Sequence, residues 1–378
     1  MKIILSVNCL SKGGAERVAS LWANGFAKFH HDVYVALFDN QRPISYSISL
    51  NVKINYIVPT RSNKIARYIS RLLMYRQYIK KVNPDVILAV QEPYGWWSKL
   101  AVFGLGKKII YTDHNAYEWP KGNSEVNRFR HFEKYHLNRI FDAITVLTDV
   151  DRKLLLPKKK ETYTMPNPVS FEVCDSVPAK SKVILAAGRL DVWQTKGFDL
   201  LIRAWGKLCA KFPDWELQIL GDGSDCSKEF LTKLAINLDC GSQIKFLGFK
   251  NNIIDYYRSS EIFVLSSRFE GFGMVLTEAM SQGCACIACD WKGRQKEIIR
   301  SREEGLVCPS GDVKELTRAL GFLLVDDEYR ACIQRNALIR AREFEIDKII
   351  ERWELLFKDL NLCLLYTSPS PRDTERSR

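Results

Sequence analysis

Two glutamates in the segment RFEGFGMVLTEAMSQG, residues 268–283, have the chemistry to hold a hydroxylated ligand. Glu270 lies in the predicted loop after a strand and Glu278 lies inside the predicted helix that follows, so both can face one edge of a sheet. Their carboxylates could accept hydrogen bonds from sugar and ribose hydroxyls, and the glycines between them let backbone N–H groups approach a phosphate at the helix N-terminus. An isolated pair at this spacing would more often be a helix cap and a surface residue, but the surrounding EGFG and EAM-x-x-G favour a ligand site.

Two cations stand at a strand–helix turn in the segment AAGRLDVWQTKGFDLLIRAW, residues 186–205. Arg189 follows a predicted strand, and Lys196 precedes Gly197 and a predicted helix. Arginine can grip a diphosphate as a bidentate fork and lysine as a point charge, so the two together could balance a leaving diphosphate without a divalent metal. Either cation alone would be interpreted as an ordinary surface residue.

A glycine turn, Gly13-Gly14, follows the first predicted strand and opens a helix. Such a helix N-terminus suits a phosphate group. The signal is weak by itself because the turn lacks the pattern G-x-G-x-x-G, and a simple chain reversal is the alternative.

A histidine, His114, follows the predicted strand in IIYTDHN and precedes Asn115. At the carboxyl end of a parallel strand it would face the ligand edge of the sheet and could hydrogen-bond a sugar hydroxyl. A structural histidine with satisfied ring nitrogens is the equal alternative.

The elements that must position these residues alternate between strand and helix along the whole chain. Strands are predicted at residues 2–7, 33–38, 52–57, 86–90, 108–112, 143–147, 182–187, 215–220, 244–246, 262–265 and 284–289. Helices are predicted at residues 15–30, 63–82, 197–212, 273–282 and 347–360, with two more between 312 and 344. This alternation predicts an α/β protein of two doubly wound parallel-sheet domains, with ligands at the carboxyl edges of the strands.

A proline-rich segment, MPNPVSFEVCDSVPAKS, separates the two halves. We expect an N-terminal domain over residues 1–166, a C-terminal domain over 175–345, and a crossover helix over 346–361 that returns to the first domain. Residues 363–378 begin CLLYTSPSPRD, which resembles a translated sequencing adapter, and we expect this tail to be non-native.

The net charge of +12 is unevenly distributed. Residues 1–166 contain 26 Lys and Arg against 13 Asp and Glu, a balance of +13, whereas the rest contains 30 against 31, a balance of −1. The excess predicts an anionic partner for the first half: a membrane surface, a phosphate-bearing ligand or nucleic acid. No apolar run approaches the ~20 residues that cross a bilayer.

One basic stretch, TRSNKIARYISRLLMYRQYIKKVNP at residues 60–84, contains seven Lys or Arg and no acid. Ile65, Ile69, Leu72 and Leu73 give the predicted helix an apolar component, so it could lie on an anionic bilayer. A helix that covers the sheet and shows its charges to water is the alternative, and the two are compatible. Trp96, Trp97, Tyr117 and Trp119 could stack on acceptor sugars or pack in the core.

The cysteines Cys284, Cys286 and Cys289 form C-x-C-x-x-C in the apolar run CACIACD. The spacing superficially suggests a metal site, but no second cluster has zinc spacing. We interpret them as buried residues of a core strand.

The segments GGAERV, GRL…KGFDLLI, LGDG, FEGFGMVLTEAM and GLVCPSGD resemble the retaining glycosyltransferases of family 4. The resemblance extends over residues 1–360 and is most specific in the C-terminal half. It implies the GT-B fold, two facing Rossmann-like domains. Within the family the chain is most similar to bacterial enzymes that extend lipid-linked oligosaccharides or polysaccharide repeat units.

The resemblance implies a retaining, metal-independent transfer of a hexose or N-acetylhexosamine from a nucleotide-sugar, with UDP as the expected nucleotide. It implies front-face attack assisted by the leaving phosphate, without a protein nucleophile. The implied catalytic residues are Glu270 on the transferred sugar, Lys196 and Arg189 on the diphosphate, and His114 near the reacting carbon. The implied donor-binding residues are Gly13, Gly14, Gly271, Phe272, Gly273, Val275, Leu276 and, on the ribose, Glu278.

The same resemblance implies a glycan acceptor carried on a polyprenyl diphosphate and a cytoplasmic enzyme peripheral to the inner face of the cell membrane. Two departures concern the donor side: Gly273 stands where the family often has proline, and Trp291–Gln295 replaces a Gly/Pro-rich loop before Glu297. The first could loosen the loop, and the second makes the identity of the sugar less predictable because that region contacts the donor.

Three alternatives stay open at this point. The same fold could act on a soluble or lipopolysaccharide-core acceptor. A basic nucleic-acid-binding module lacks any recognised motif, so no nucleic-acid partner is expected. A dehydrogenase or epimerase lacks G-x-G-x-x-G after a strand.

Overall fold

A computed structural model describes residues 1–60, 63–118 and 138–362 of the chain. Contacts between Cα atoms group these residues into two compact units. The first comprises Met1–Tyr111, Phe141–Ala143 and the described residues from Ile350 onward, and the second comprises the described residues of Thr112–Ile140 and Ile144–Ile349. The predicted domain limits at residues 166 and 175 stay a prediction, and the predicted non-native tail lies outside the described residues.

The strands are short and mostly buried. They are β1 (Lys2–Val7), β2 (Asp32–Leu37), β3 (Lys53–Tyr56), β4 (Val86–Val90), β5 (Lys108–Thr112), β6 (Ala143–Val146), β7 (Thr162–Thr164), β8 (Ser181–Ala187), β9 (Glu216–Leu220), β10 (Ile244–Gly248), β11 (Ser260–Leu265), β12 (Ala285–Asp290) and β13 (Leu306–Pro309). They form a seven-stranded sheet, β3-β2-β1-β4-β5-β6-β7, and a six-stranded sheet, β10-β9-β8-β11-β12-β13.

The helices alternate with these strands. They are α1 (Gly14–Lys28), α2 (Lys64–Val82), α3 (Tyr94–Ala101), α4 (Asp149–Leu155), α5 (Trp193–Lys196), α6 (Phe198–Gly206), α7 (Asp225–Asn237), α8 (Ile253–Ser259), α9 (Met274–Ser281), α10 (Val313–Val325), α11 (Asp327–Ala341) and α12 (Ile346–Asp359). In the part of the chain that the structure describes, no helix is long and apolar enough to cross a membrane.

The first sheet is centred on β1, which runs parallel to β2 and β4 with Ile4 opposite Tyr34 and Ile87. Its inner strands are continuous apolar runs because parallel sheets are covered on both faces. In the first unit, Trp22 on α1 packs edge-on against Trp353 on α12, with ring centroids 5.1 Å apart. The last helix, α12, which corresponds to the predicted crossover helix, therefore completes the core of the first unit.

The second sheet separates two hydrophobic clusters. Along β8, Ile184 and Ala186 belong to one cluster, while Leu185 and Ala187 belong to the other. Alternate side chains of a strand point to opposite faces, so both faces of this sheet are buried under helices. The predicted fold class of two doubly wound parallel sheets is confirmed.

Local differences from the predicted elements have physical causes. The helix predicted at residues 197–212 ends at Gly206, and a 3-10 turn, Cys209–Lys211, follows. A side chain at Gly206 would press on Leu238, at 3.1 Å from its Cβ, so this glycine allows a close helix contact at which the helix stops. The strands β7 and β13 were not predicted because three or four residues carry too little periodicity.

Candidate active site

The predicted cation and carboxylate, Lys196 and Glu270, are in direct contact. Lys196 ends the one-turn helix α5, Glu270 follows β11, and Lys196 Nζ lies 2.5 Å from Glu270 Oε1. The Ser267 hydroxyl donates to the same carboxylate oxygen at 3.0 Å. Both charged side chains are only partly buried, so a ligand can reach the pair. The site therefore places a cation directly beside a hydrogen-bond acceptor.

Arg189 lies at the start of the short turn Leu190–Val192 and is exposed. Its side chain makes no ion pair with any residue that the structure describes. The preceding glycine, Gly188, is close to the Lys196 side chain: a Cβ built there would lie 3.3 Å from Lys196 Cδ. Arg189 is therefore an unengaged cation on the turn that approaches Lys196.

Two glycines of the EGFG loop are required by the structure. Gly273, the N-cap of α9, has a φ of 90°, which is unfavourable for a side chain and incompatible with the fixed φ of proline. A Cβ at Gly271 would lie 2.8 Å from the backbone nitrogen of Ala116. The departure from proline at position 273 is thus explained by this left-handed conformation. Gly271 brings the EGFG loop against the loop that carries His114.

The remaining predicted residues at the start of α9 divide between core and surface. Phe272 and Leu276 are buried in the hydrophobic cluster on one face of the second sheet, and Val275 packs against that cluster while half-buried. The Leu276 N–H donates to the Gly273 carbonyl at 2.8 Å. Their donor-binding roles stay predictions; the side chains of Phe272 and Leu276 serve the core.

Glu278 is 2% exposed, and both of its carboxylate oxygens accept hydrogen bonds from hydroxyl groups. The Ser170 hydroxyl donates to Oε1 at 2.7 Å, and the Tyr257 hydroxyl donates to Oε2 at 3.1 Å. Glu278 is therefore not a surface residue, and the N-cap of α9 is Gly273 rather than Glu270. Sequence reasoning missed Ser170 and Tyr257 because both lie far from Glu278 along the chain.

The His114 ring is held between two polar side chains. Its Nδ1 lies 3.2 Å from Asn167 Oδ1, and its Nε2 lies 3.2 Å from Thr112 Oγ1. Burial lowers the pKa of His114 to about 4, against a smaller raising effect of the bond to Asn167, so the ring is neutral at pH 7. Asn167 was missed because its Asn-Pro sequence is typical of a linker turn.

Gly13 and Gly14 lie in the first unit at the N-terminus of α1. The Gly13 N–H donates to Tyr46 Oη at 3.1 Å, and the Tyr46 hydroxyl donates to the Gly13 carbonyl at 3.0 Å. A Cβ at Gly14 would meet nothing within 4 Å, and one at Gly13 would meet the flexible end of Glu16. Packing within the first unit does not demand glycine at position 14, so its predicted role at a phosphate stays a prediction.

A buried ion pair joins the segment that departs from the family to α4. Arg294 and Asp151 are both fully buried, and Arg294 Nη2 lies 2.5 Å from Asp151 Oδ1. The Tyr117 N–H and the Thr148 hydroxyl also donate to this carboxylate. Glu297 accepts from the N–H groups of Asp149 and Val150, each at 2.7 Å. The Trp291–Gln295 segment is thus anchored at the N-terminus of α4.

Asp149 and Asp151 form an Asp-x-Asp sequence that the prediction of metal independence overlooked. Asp151 is occupied by Arg294, and Asp149 accepts a hydrogen bond from the Thr164 hydroxyl. In residues 1–60, 63–118 and 138–362, no group of three His, Cys, Asp or Glu side chains is placed to hold a metal ion.

The structure shows how the described aromatic residues pack and tests the interpretation of the cysteines. Trp97 stacks on Tyr68 with centroids 5.7 Å apart, and Trp96 contacts Phe141 edge-on. Tyr117 is buried, while Trp119 lies outside the described residues. The interpretation of the C-x-C-x-x-C cysteines as core residues is confirmed, since Cys284, Cys286 and Cys289 are all buried around β12; burial raises the pKa of the Cys284 thiol to about 11.

Two family models match successive parts of the chain. "Glycosyltransferase Family 4" matches residues 12–173, and "Glycosyl transferases group 1" matches residues 175–340. A solved structure of Anabaena HepE, in complex with UDP and glucose, covers 95% of this chain and 99% of its own at a TM-score of 0.77 and 18% identity. The fold and the two family models together define a GT-B glycosyltransferase.

Full-length relatives agree with this class. An uncharacterized glycosyltransferase of Haemophilus influenzae is 29% identical over 92% of this chain and 97% of its own. The Campylobacter jejuni GalNAc-alpha-(1->4)-GalNAc-alpha-(1->3)-diNAcBac-PP-undecaprenol alpha-1,4-N-acetyl-D-galactosaminyltransferase is 27% identical over 95% of this chain and 99% of its own. The chain belongs to the GT-B glycosyltransferases of family 4 type.

Proposed function

We propose that this chain is a retaining, metal-independent glycosyltransferase that moves a hexose or N-acetylhexosamine from a UDP-sugar to a lipid-linked or other surface-glycan acceptor. The observation that carries the proposal is the contact between Lys196 and Glu270 beside the glycine-opened helix α9. The lysine there can bind the charged diphosphate of a nucleotide-sugar, and the carboxylate can accept hydrogen bonds from the hydroxyl groups of the sugar.

The proposed chemistry is electrostatic. Lys196 has three donors, so its ammonium can keep Glu270 as a partner while it contacts a diphosphate oxygen. The unengaged Arg189 adds a bidentate fork, and the two cations stabilise the charge that develops on the leaving diphosphate. Glu270 then orients the sugar, and the neutral His114 ring contacts it near the reacting carbon without adding charge. No divalent metal has a role in this scheme.

The test is a panel of nucleotide-sugars scored for transfer or donor hydrolysis with the wild type, Lys196→Ala and Glu270→Ala. We expect each variant to lose at least about 100-fold in kcat/KM, the usual effect of removing a group that stabilises a transition state. Lys182→Ala is the matched control, because Lys182 makes an exposed ion pair with Asp214 and should leave turnover unchanged.

Wild-type turnover in both site variants would refute the site assignment while leaving the class intact. A product with inverted anomeric configuration, observed by NMR, would refute the retaining mechanism. The Campylobacter jejuni relative is an N-acetylgalactosaminyltransferase of a PP-undecaprenol-linked glycan, which supports a lipid-linked acceptor for this chain.

An anionic membrane surface is the second part of the proposal, and α2 supports it. Ile65 is 71% exposed, and Ile69 and Leu73 follow it on the exposed side of the helix. Lys64 and Arg67 are exposed in the first turn of the same helix. Exposed apolar side chains flanked by cations are typical of helices that lie in the interface of an anionic bilayer.

Residues at the C-terminal end of α3 and just beyond it extend this surface. Arg76 on α2 donates to the carbonyls of Ala101 and Phe103, at 2.8 and 2.7 Å, and thereby ties the end of α3 to α2. Phe103 is 83% exposed, and Leu100 is exposed beside it. We call Ile65, Ile69, Leu73, Leu100 and Phe103, with Lys64 and Arg67, the α2 surface.

Vesicle flotation tests this part. The wild type should float with vesicles that contain anionic lipid and stay in solution with neutral ones, whereas Ile65→Ser/Ile69→Ser should float less. Ile236→Ser is the control, because Ile236 on α7 is 61% exposed but has no place on the α2 surface. Equal flotation with neutral vesicles, or none with either, would favour a soluble or lipopolysaccharide-core acceptor.

A further inference from the structure

The segment Met165–Ser170, whose prolines suggest a simple linker, is a packed part of the second unit. The Met165 N–H donates to the Val146 carbonyl at 2.7 Å, and the Val169 N–H donates to the Phe344 carbonyl at 2.8 Å. Residues 165–169 are all buried. A passive connector would run over the surface with its backbone in water. This segment instead has a defined place and a defined set of partners.

Its two polar side chains reach two different residues of the candidate site. Asn167 is bonded to His114, and Ser170 is bonded to Glu278. Asn167 is itself buried, so its amide is not a surface group that happens to lie near a histidine. One short segment therefore contacts the residue predicted for the sugar and the residue predicted for the ribose.

We propose that Met165–Ser170 is a positioning element of the active site, in which Asn167 orients the imidazole of His114 and Ser170 orients the carboxylate of Glu278. The inference rests on the proposed function, which gives those two residues their ligands. It adds two positioning residues that act at opposite ends of the same donor.

The bond at His114 selects a tautomer. The Asn167 amide oxygen can only accept, so His114 Nδ1 must carry the proton, and Nε2 is left as an acceptor. Thr112 lies on that second side, with its hydroxyl 3.2 Å from Nε2. Without Asn167 the ring could rotate or change tautomer, so the edge of the ring that meets the sugar would be displaced without affecting the nucleotide.

The bonds at Glu278 fix a rotamer. Ser170 occupies one acceptor site on Oε1, and Tyr257 occupies one on Oε2. Ser170 and Tyr257 thereby hold both carboxylate oxygens in one orientation, the one in which Glu278 would meet the ribose hydroxyls. Ser170 and Tyr257 should therefore influence nucleotide affinity, whereas Asn167 should influence turnover.

The experiment measures UDP binding by calorimetry and transfer from the best donor of the panel for Ser170→Ala, Tyr257→Phe and Asn167→Ala. We expect Ser170→Ala and Tyr257→Phe to weaken UDP binding by about 10-fold, since each removes a hydrogen bond to a charged group. Asn167→Ala should bind UDP within about twofold of the wild type but lose about 10-fold or more in kcat.

Two controls separate positioning from general damage. Ser170→Thr keeps the hydroxyl and should restore UDP affinity to within about threefold of the wild type. Val173→Ala removes buried apolar atoms just beyond the segment, and should lower the melting temperature without reproducing either signature.

The proposal is overturned if Ser170→Ala and Asn167→Ala only lower the melting temperature, as Val173→Ala should, or if both change UDP affinity and kcat in parallel. If the wild type binds UDP and Ser170→Ala binds it equally well, the positioning role is refuted but the proposed function is not. A wild type that neither binds UDP nor uses any nucleotide-sugar refutes the proposed function together with the inference drawn from it.

Discussion

The candidate active site and the α2 surface use charge in opposite ways. In the site, each ionised group but Arg189 has a specific partner: Lys196 has Glu270, and Arg294 has Asp151. On the α2 surface, Lys64 and Arg67 are exposed among exposed apolar residues. Paired, buried charges depend on the fixed position of one particular partner, and substitution of one of them leaves the other without its counter-charge. Exposed charges act through summed potential, and each contributes little by itself.

The largest difference between the two regions should appear at the buried ion pair. We expect Arg294→Met to lower the free energy of unfolding by about 3–5 kcal/mol, because it leaves the fully buried Asp151 carboxylate without its counter-charge. Urea denaturation at pH 7 measures this loss. Arg318→Met, at an exposed pair with Glu315 on α10, is the control and should cost less than about 1 kcal/mol. A comparable loss in both variants would contradict the distinction.

A smaller effect should come from pH acting on His114. Its pKa is about 4 in the folded protein, below the ordinary value of 6.5 that applies when the chain is unfolded. The unfolded state therefore binds a proton first as pH falls, so stability decreases between pH 6.5 and 4 and this contribution is constant outside that window. We expect a loss of about 2 kcal/mol, less than the full shift implies because the side chain keeps some solvent contact.

Denaturation of the wild type and His114→Gln at pH 7 and pH 4.5 isolates the histidine. The wild type should lose more stability than the variant over this interval. An equal loss in both proteins would show that other groups account for the acid sensitivity.

Single charges on the α2 surface should have modest, additive effects. We expect Lys64→Gln and Arg67→Gln each to weaken partitioning onto anionic vesicles by about 1 kcal/mol at low salt, and the double variant by about the sum. Raising the salt concentration should remove most of the difference, because exposed charges are screened. A strongly non-additive pair would mean that these side chains act through a specific partner, as the site residues do.

The smallest expected effect is that of chelation. Because Lys196 and Arg189 are proposed to balance the leaving diphosphate, EDTA should leave the transfer rate within experimental error of the untreated enzyme. Loss of activity that added Mg²⁺ or Mn²⁺ restores would assign that role to a metal and make Asp149 the first residue to test.

Much of the site could be predicted from local sequence, as the EGFG loop illustrates. A few successive residues there predict the order of strand, glycine loop and helix. Gly273 has the positive φ for which glycine is suited. The boundaries of α2 and α9 were predicted to within about two residues, because a helical period and a cap are local signals. The short helices α3, α4 and α8 carry fewer turns of pattern, and the prediction missed them.

The partners of the site residues could not be predicted in this way. Lys196 meets Glu270 across 74 positions, Ser170 meets Glu278 across 108, and Arg294 meets Asp151 across 143. Sequence by itself determined which residue types stand at the carboxyl ends of the strands and that they could hold a sugar diphosphate. Only the tertiary structure decided which side chains meet. Sheet order and helix packing bring distant segments together, and the separation of two residues along the chain does not indicate their distance in space.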